Sequence, residues 1–412
     1  MRKSIAFLSF AAAIAFCYSC SNDETVAVND NAASNEISFR PLMTGMTRAA
    51  DQNFTQATNN ATFSVTAFQA GAETNKYFGP LTYTSNGTAF TSADKKYWPK
   101  TYNLDFYAYA PIADGTQIKL VKGDGSDDAN SYKIFKVTPS TTVANQVDLV
   151  YAVTKGWGTY STPAHNGAAG VTINFRHAES KVIIQLKNTN GSLKFTVGDV
   201  SIGNLRGTET FTWNQSTTGG VSPTTAAHTD NTSGYYLDGT WTATSAQTTI
   251  YSVTMGTDAY DDDGNNETLD VYRNVFDGVS AANRGLASTA ADYEMILIPQ
   301  ALNPQTTYAS ADANALFNGA YISVQLKIQN KSNNDYLAGS DGAYVTAMWP
   351  LTALTWLPGH KYTYTVDLAG GGYHTTNQDT NENLDPILDG TEIKFVTVTV
   401  DGWGDAGNTD VL

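Results

Sequence analysis

Cys20 is the side chain whose type and surroundings specify a reaction most plainly. Two positive charges (Arg2, Lys3), an apolar run from Ile5 to Phe16 and the small Ser19 lead into it, and Ser21-Asn22-Asp23-Glu24 follows at once. That layout is a secretory signal of the lipoprotein type, in which the acylated cysteine becomes the mature amino terminus and a small residue must precede it to fit the peptidase. Residues 1–19 are therefore read as the signal peptide, and Cys20 as the site of the fatty-acyl (palmitate-type) anchor. Cys17 is the poorer candidate, because the bulky Phe16 precedes it. The Cys17-x-x-Cys20 spacing would elsewhere suggest redox or zinc chemistry. Here both cysteines lie within or at the edge of the segment that is cut away, and no cysteine follows Cys20. An exported chain without disulfides must be held by core burial, and 412 residues are enough for that. No later stretch reaches the roughly 18 apolar residues that span a bilayer, so attachment to a membrane rests on the lipid.

Other chemistry is sparse. His165, His177, His228, His360 and His374 include no H-E-x-x-H or similar pair that would hold zinc on one element. No phosphate-binding glycine loop and no nucleophile elbow is present. His177, just after the run Val171 to Phe175, reads as a structural hydrogen-bonding histidine. Two acidic loops, Asp124-x-Ser126-x-Asp128 and Asp261-x-Asp263-Gly264-Asn265-x-Glu267, have oxygens at alternating positions, as a hard cation needs. The bidentate glutamate position of an EF-hand starting at Asp261 is occupied by Tyr272, and Asp, Asn and Gly equally suit plain turns. The chain is read as a non-enzyme with no cofactor and no metal.

The elements that carry these residues are strands. Tyr 23, Phe 17 and Trp 7, with only 15% charged residues, favour pleated surfaces over exposed helix faces. Apolar residues repeat with period two in Phe63-x-Val65-x-Ala67, Leu104-x-Phe106-x-Ala108-x-Ala110 and Val147-x-Leu149-x-Tyr151-x-Val153. The pattern resumes after a Gly/Pro/Asn-containing stretch from Gly156 to Gly170, in Val171-x-Ile173-x-Phe175, Val182-x-Ile184-x-Leu186 and Leu193-x-Phe195-x-Val197. Later runs are Ile322 to Ile328, Tyr362 to Leu368 and Val396-x-Val398-x-Val400. An all-β chain of two sandwiches in series is expected, divided near residue 168. A net charge of -15 excludes nucleic acid and anionic membrane as partners, since both would repel it.

Several segments carry a resemblance as well. Tyr97-Trp98-Pro99 before Leu104-Asp105-Phe106-Tyr107-Ala108-Tyr109-Ala110-Pro111 resembles the first domain of the fimbrillin (type V pilin) family. Phe175-Arg176-His177-Ala178, Ile296-Leu297-Ile298-Pro299-Gln300 and Trp356-Leu357-Pro358-Gly359-x-x-Tyr362-x-Tyr364 are similar to its second-domain signatures, in the expected order. The polar inserts around 214–234 and 258–267 depart from it. The resemblance implies two transthyretin-like sandwiches, a surface lipoprotein of gut and oral anaerobes, and assembly with other fimbrial subunits at the outer membrane.

It also implies a meaning for Thr47-Arg48-Ala49-Ala50. Fimbrillins are cut after an arginine by a trypsin-like protease, which removes the first strand and opens a groove for a strand donated by another subunit. In this chain Glu36-Ile37-Ser38-Phe39-Arg40 alternates as a removable strand, and the cut would fall between Arg48 and Ala49. The expected division is then 1–19 signal, 20–48 lipidated propeptide, 49–167 N-terminal sandwich and 168–412 C-terminal sandwich. Val396, Val398 and Val400 share one face of the last strand, a candidate donor, whereas Ile393 and Phe395 have the opposite parity. If that strand instead completes its own sandwich, with Trp403 at its end, the subunit accepts a strand without giving one, as a tip adhesin does. The alternative is a monomeric surface lipoprotein that binds glycans through Trp157, Trp213 and Trp241, which lie in or near polar segments. A host or bacterial surface ligand fits either reading.

Overall fold

The computed structural model describes residues 36–42, 61–86, 90–112, 115–128, 131–157, 170–213, 239–253, 260–261, 273–274, 294–305, 318–374, 386–388, 393, 396–402 and 409–410. The chain is all-β, and among the described residues only short 3-10 turns at Val143–Asn145 and Leu368–Gly370 interrupt the strands and loops. The first part comprises β1 (Phe39–Leu42), β2 (Thr62–Gln69), β3 (Ala72–Ser85), β4 (Phe90–Thr91), β5 (Leu104–Ala110), β6 (Ile118–Leu120), β7 (Ile134–Val137), β8 (Val150–Trp157), β9 (Val171–Asn174) and β10 (Arg176–His177).

Eight of these form one sheet in the order β10-β8-β5-β2-β3-β4-β1-β9. Only Phe175 separates β9 from β10, so the two ends of the sheet are joined and it curls around a core. That core holds Phe39, Phe63, Phe106, Trp98, Val150, Val171 and Phe175. In β5 all seven residues are buried, because both faces of the strand are covered. Leu104, Phe106, Ala108 and Ala110 face the enclosed core, whereas Tyr107 and Tyr109 face a second core on the outside. Asp105, also on the outer face, accepts the backbone N–H groups of Gly71 (3.0 Å) and Gly156 (2.7 Å), two left-handed residues at φ 75° and 72°. One carboxylate thereby fixes a hairpin turn and a kink in β8.

The second part comprises β11 (Ser180–Lys187), β12 (Leu193–Arg206), β13 (Glu209–Trp213), β14 (Gly239–Thr242), β15 (Gln247–Val253), β16 (Tyr260–Asp261), β17 (Arg273–Asn274) and β18 (Met295–Leu297). It continues with β19 (Tyr321–Asn330), β20 (Tyr336–Ala338), β21 (Val345–Pro350), β22 (His360–Asp367), β23 (Tyr373–His374), β24 (Thr397–Gly402) and β25 (Thr409–Asp410). A sheet ordered β17-β11-β22-β24-β25, with β18 on β11, packs on one ordered β15-β12-β19-β21-β23. Ile184, Phe195, Ile202, Val324, Trp349, Trp356 and Tyr364 fill the space between. β19 alternates buried and half-buried residues from Ile322 to Ile328, the period-two pattern of its sequence.

The two parts interlock. β9 and β10 lie past residue 168 yet close the first sheet, so the Gly-containing stretch separates strands in sequence and not sheets in space. The outer core is covered by a four-stranded sheet, β14-β13-β7-β6, whose halves come from either side of that stretch. β13 pairs with β7 from Glu209↔Val137 to Thr212↔Ile134. Through it Phe211 and Trp213 pack among Tyr107, Tyr109, Phe135 and Tyr151. Full burial of each such aromatic contributes about 1.5–3 kcal/mol.

Candidate assembly site

β1 is the element that the site is built on. Ile37 (1% exposed), Phe39 (2%) and Pro41 point inward, while Glu36 and Ser38 lie between them nearer the surface. Phe39 is the anchor: its ring meets Phe63, Tyr83 and Phe106 edge-on at 6.1, 4.6 and 5.2 Å. On one side β1 pairs in parallel with β9, from Phe39↔Val171 to Leu42↔Asn174. On the other, among the described residues, it meets β4 at Phe39↔Phe90. The Ile37 N–H donates to the Lys96 carbonyl (2.7 Å) beside the Tyr97-Trp98-Pro99 segment, and Val171 N–H donates to the Ser38 carbonyl (2.7 Å). The Lys95–Glu36 ion pair (2.9 Å) is largely solvated, so water screens it and it adds little to the hold on β1. Gly170 completes the slot. At φ 74° its missing Cβ would lie 3.0 Å from the Ser38 carbonyl oxygen, so any side chain there would press on whatever strand fills the slot. The sequence signal for the slot was the alternation at 36–40; its partner β9 and Gly170 carried no separate signal, since period two identifies a face and not a neighbour.

The carboxyl-terminal strand β24 is engaged in the other sandwich, between β22 and β25. β24 pairs antiparallel with β22 from His360↔Gly402 to Thr365↔Thr397, and β25 pairs on its other side at Val400↔Asp410. Val396, Val398 and Val400 pack, half-buried, against the second core, as does Ile393. Lys361 Nζ lies 3.3 Å from Asp401 Oδ2 across the pair. Cys20, Arg48, Ala49 and Trp403 lie outside the described residues, as does most of the 261–267 loop. In the other acidic loop Asp124 Oδ1 accepts both the backbone N–H and the hydroxyl of Ser126, at 3.0 and 2.7 Å, a side-chain-closed turn.

The described tryptophans lie in the cores or pack against them. Trp157 and Trp213 are buried, and Trp241 packs on Phe211 at 5.1 Å while its indole N–H donates to the Ala178 carbonyl at 2.7 Å. Trp356 donates to the Tyr364 hydroxyl (2.8 Å), and the Leu357 N–H to the Tyr362 hydroxyl (2.7 Å), which explains the spacing of Trp356-Leu357-Pro358-Gly359 from its two tyrosines.

Phe175 to Lys181 forms the seam between the two parts. His177 Nδ1 lies 2.6 Å from Asp148 Oδ2, Leu149 N–H donates to Glu179 Oε2 (2.8 Å), and Lys181 Nζ donates to Glu294 Oε2 (2.8 Å), all buried. His177 thus sits in a structural pairing. Burial, and after it the negative charge of Asp148, push the Glu179 carboxyl well above its ordinary range, and the Leu149 N–H only partly offsets this. The folded chain keeps a proton on Glu179 that the unfolded chain releases near pH 4.3. Its contribution to stability is therefore fully present below that pH and is lost as pH rises through the folded value. Glu179→Gln preserves the acceptor for Leu149 and removes the titration. Its melting temperature should fall less than the wild type's between about pH 5 and about pH 8; parallel pH profiles would contradict the assignment.

The described strands form interlocked sandwiches, with β1 held in a slot of the first sheet. The chain belongs to the fimbrillin-like family, whose model matches residues 47–403. Among solved structures it is similar to a fimbrial protein from Bacteroides vulgatus, at 14% identity and TM-score 0.47, over 90% of this chain and 100% of that one. It is also similar to a fimbrilin from Porphyromonas gingivalis, at 11% identity and TM-score 0.37, over 90% of this chain and 99% of that one. No curated protein matches it. Family membership supports a structural or adhesive role in fimbriae at the cell surface.

Proposed function

We propose that the chain is a structural subunit or tip adhesin of cell-surface fimbriae, exported as a lipoprotein acylated at Cys20 and held at the outer membrane until it is cut between Arg48 and Ala49. Loss of the segment before the cut removes β1, and a strand from another subunit takes its place. The observation that carries this reading is the way β1 is held: its buried side chains fill the first core, while among the described residues its ladder is four residues on one side and a single residue on the other. Its removal uncovers the rings around Phe39, a loss comparable to the roughly 3–5 kcal/mol of a large-to-small core change, and a donated strand would restore both the ladder and the apolar contacts. The family match begins at residue 47, beside Arg48, so β1 lies outside it, as a segment absent from the mature subunit would.

The test is to treat the purified pro-form with trypsin and run it on an unboiled gel. A cut after Arg48 should yield a ladder of multimers, and Arg48→Ala should remain intact and monomeric under the same treatment. A wild-type chain that loses β1 yet stays monomeric, alone and with cut fimbrial subunits from the same cells, would refute strand exchange at this slot.

A further inference from the structure

Beside the outer core the first sandwich leaves a cleft of about 340 Å³ that neither β1 nor the terminal strand uses. It lies beside β6, a strand of three residues at the edge of the four-stranded cover. A rung of the large sheet lies at its base: Ser64 pairs with Thr82 on one side and with Tyr109 on the other. Ser64 and Tyr109, each 3% exposed, form the floor, and Thr82 lies open at the mouth. Pro80 and Ile112 supply an apolar wall, Ile112 being 37% exposed. Lys119, Asp127 and Asp128 also line it, with Lys122 Nζ 4.0 Å from Asp128 Oδ2.

We propose that this cleft is a binding site for a neutral hexopyranose, the terminal ring of a surface glycan. A sugar ring has one face of C–H groups and a rim of hydroxyls that both donate and accept. The apolar wall suits the first. The two carboxylates accept from neighbouring hydroxyls, and Lys119 and Thr82 donate to them. The volume lies at the small end of the roughly 300–1,000 Å³ range of ligand clefts, enough for one ring with its linkage open to solvent. Acidic sugars are excluded by Asp127 and Asp128 together with the chain's net charge of -15. The site belongs to the folded first sandwich and is present whether or not the chain assembles.

The experiment is saturation-transfer NMR on the uncut protein with the methyl β-glycosides of glucose, galactose and N-acetylglucosamine, and with butylamine and sialic acid as cationic and anionic probes. At least one neutral glycoside should bind with a dissociation constant on the order of 1 mM, and sialic acid should not. The double variant Asp127→Asn/Asp128→Asn, with its melting curve unchanged, should bind at least tenfold more weakly, and Ile112→Asp should abolish saturation of the sugar's ring protons. Binding of butylamine alone would overturn the proposal in favour of a basic side chain as ligand. Failure of all three neutral glycosides, or binding unaffected by both variants, would overturn it as well.

Discussion

Trp213→Ala should cost about 3–5 kcal/mol, and the unit that loosens should be the N-terminal sandwich, although residue 213 lies well beyond the strands that begin it. Trp213 is 1% exposed. Its ring lies 6.0 Å from Tyr107, 5.7 Å from Tyr151 and 5.4 Å from Phe135, so every aromatic neighbour named here comes from β5, β7 or β8. Removing it opens a cavity whose walls are rigid strands, and such sites collapse poorly. The pairing of β13 with β7 transmits the damage, because Phe211 on the same strand packs against Tyr151 at 4.9 Å. Denaturant unfolding followed by exchange of β5 and β8 amides is the measurement. A midpoint within about 0.5 kcal/mol of wild type would mean that the hairpin merely rests on the first sandwich. The same reasoning predicts that a fragment ending at residue 177, which lacks β13 and β14, exposes Tyr107, Tyr109 and Tyr151.

What the sequence disclosed and what it hid divide along a physical line. The alternation in β19, in β5 and around Phe39 was legible because a strand's side chains must alternate between faces whatever lies beside it. Pairing partners were not, since Val171 and Ile173 read the same whether β9 closes the first sheet or opens the second. For that reason the boundary near 168 fell between strands that belong to one sheet. Trp213 and Trp241 looked like surface aromatics because threonine, serine and asparagine surround them in sequence, yet strand pairing turns their rings to a core built largely from β5, β7 and β8, earlier in the chain. The Phe175 to Lys181 segment was noticed only for His177. Its buried Glu179, Lys181 and partner Glu294 mark it as the seam, and nothing local in the sequence reveals that Gln146, Asp148 and Gly359 converge there.

The role of the terminal strand follows from what removing it does. β24 contributes six residues of ladder to β22 and three half-buried valines to the second core. At roughly 1 kcal/mol for each partly buried valine, deletion of 396–412 should destabilise the second sandwich by about 3 kcal/mol or more, before any loss from Tyr362 and Tyr364 becoming an exposed edge. Deletion of 404–412 is milder: it removes β25, which pairs with Val400 and Asp401 alone. If β24 completes its own sandwich, the chain ending at 403 should fold normally and, once cut after Arg48, still accept a strand from a partner subunit. That behaviour places it at the end of a fibre, because a subunit that keeps its terminal strand can receive without giving. The competing arrangement frees the tail and β24 together to enter a neighbour's slot, where Val396, Val398 and Val400 would lie as Ile37, Phe39 and Pro41 do, every second residue inward. A chain ending at 403 that melts like the full-length protein, yet no longer adds to a growing polymer, would establish that arrangement and exclude the tip.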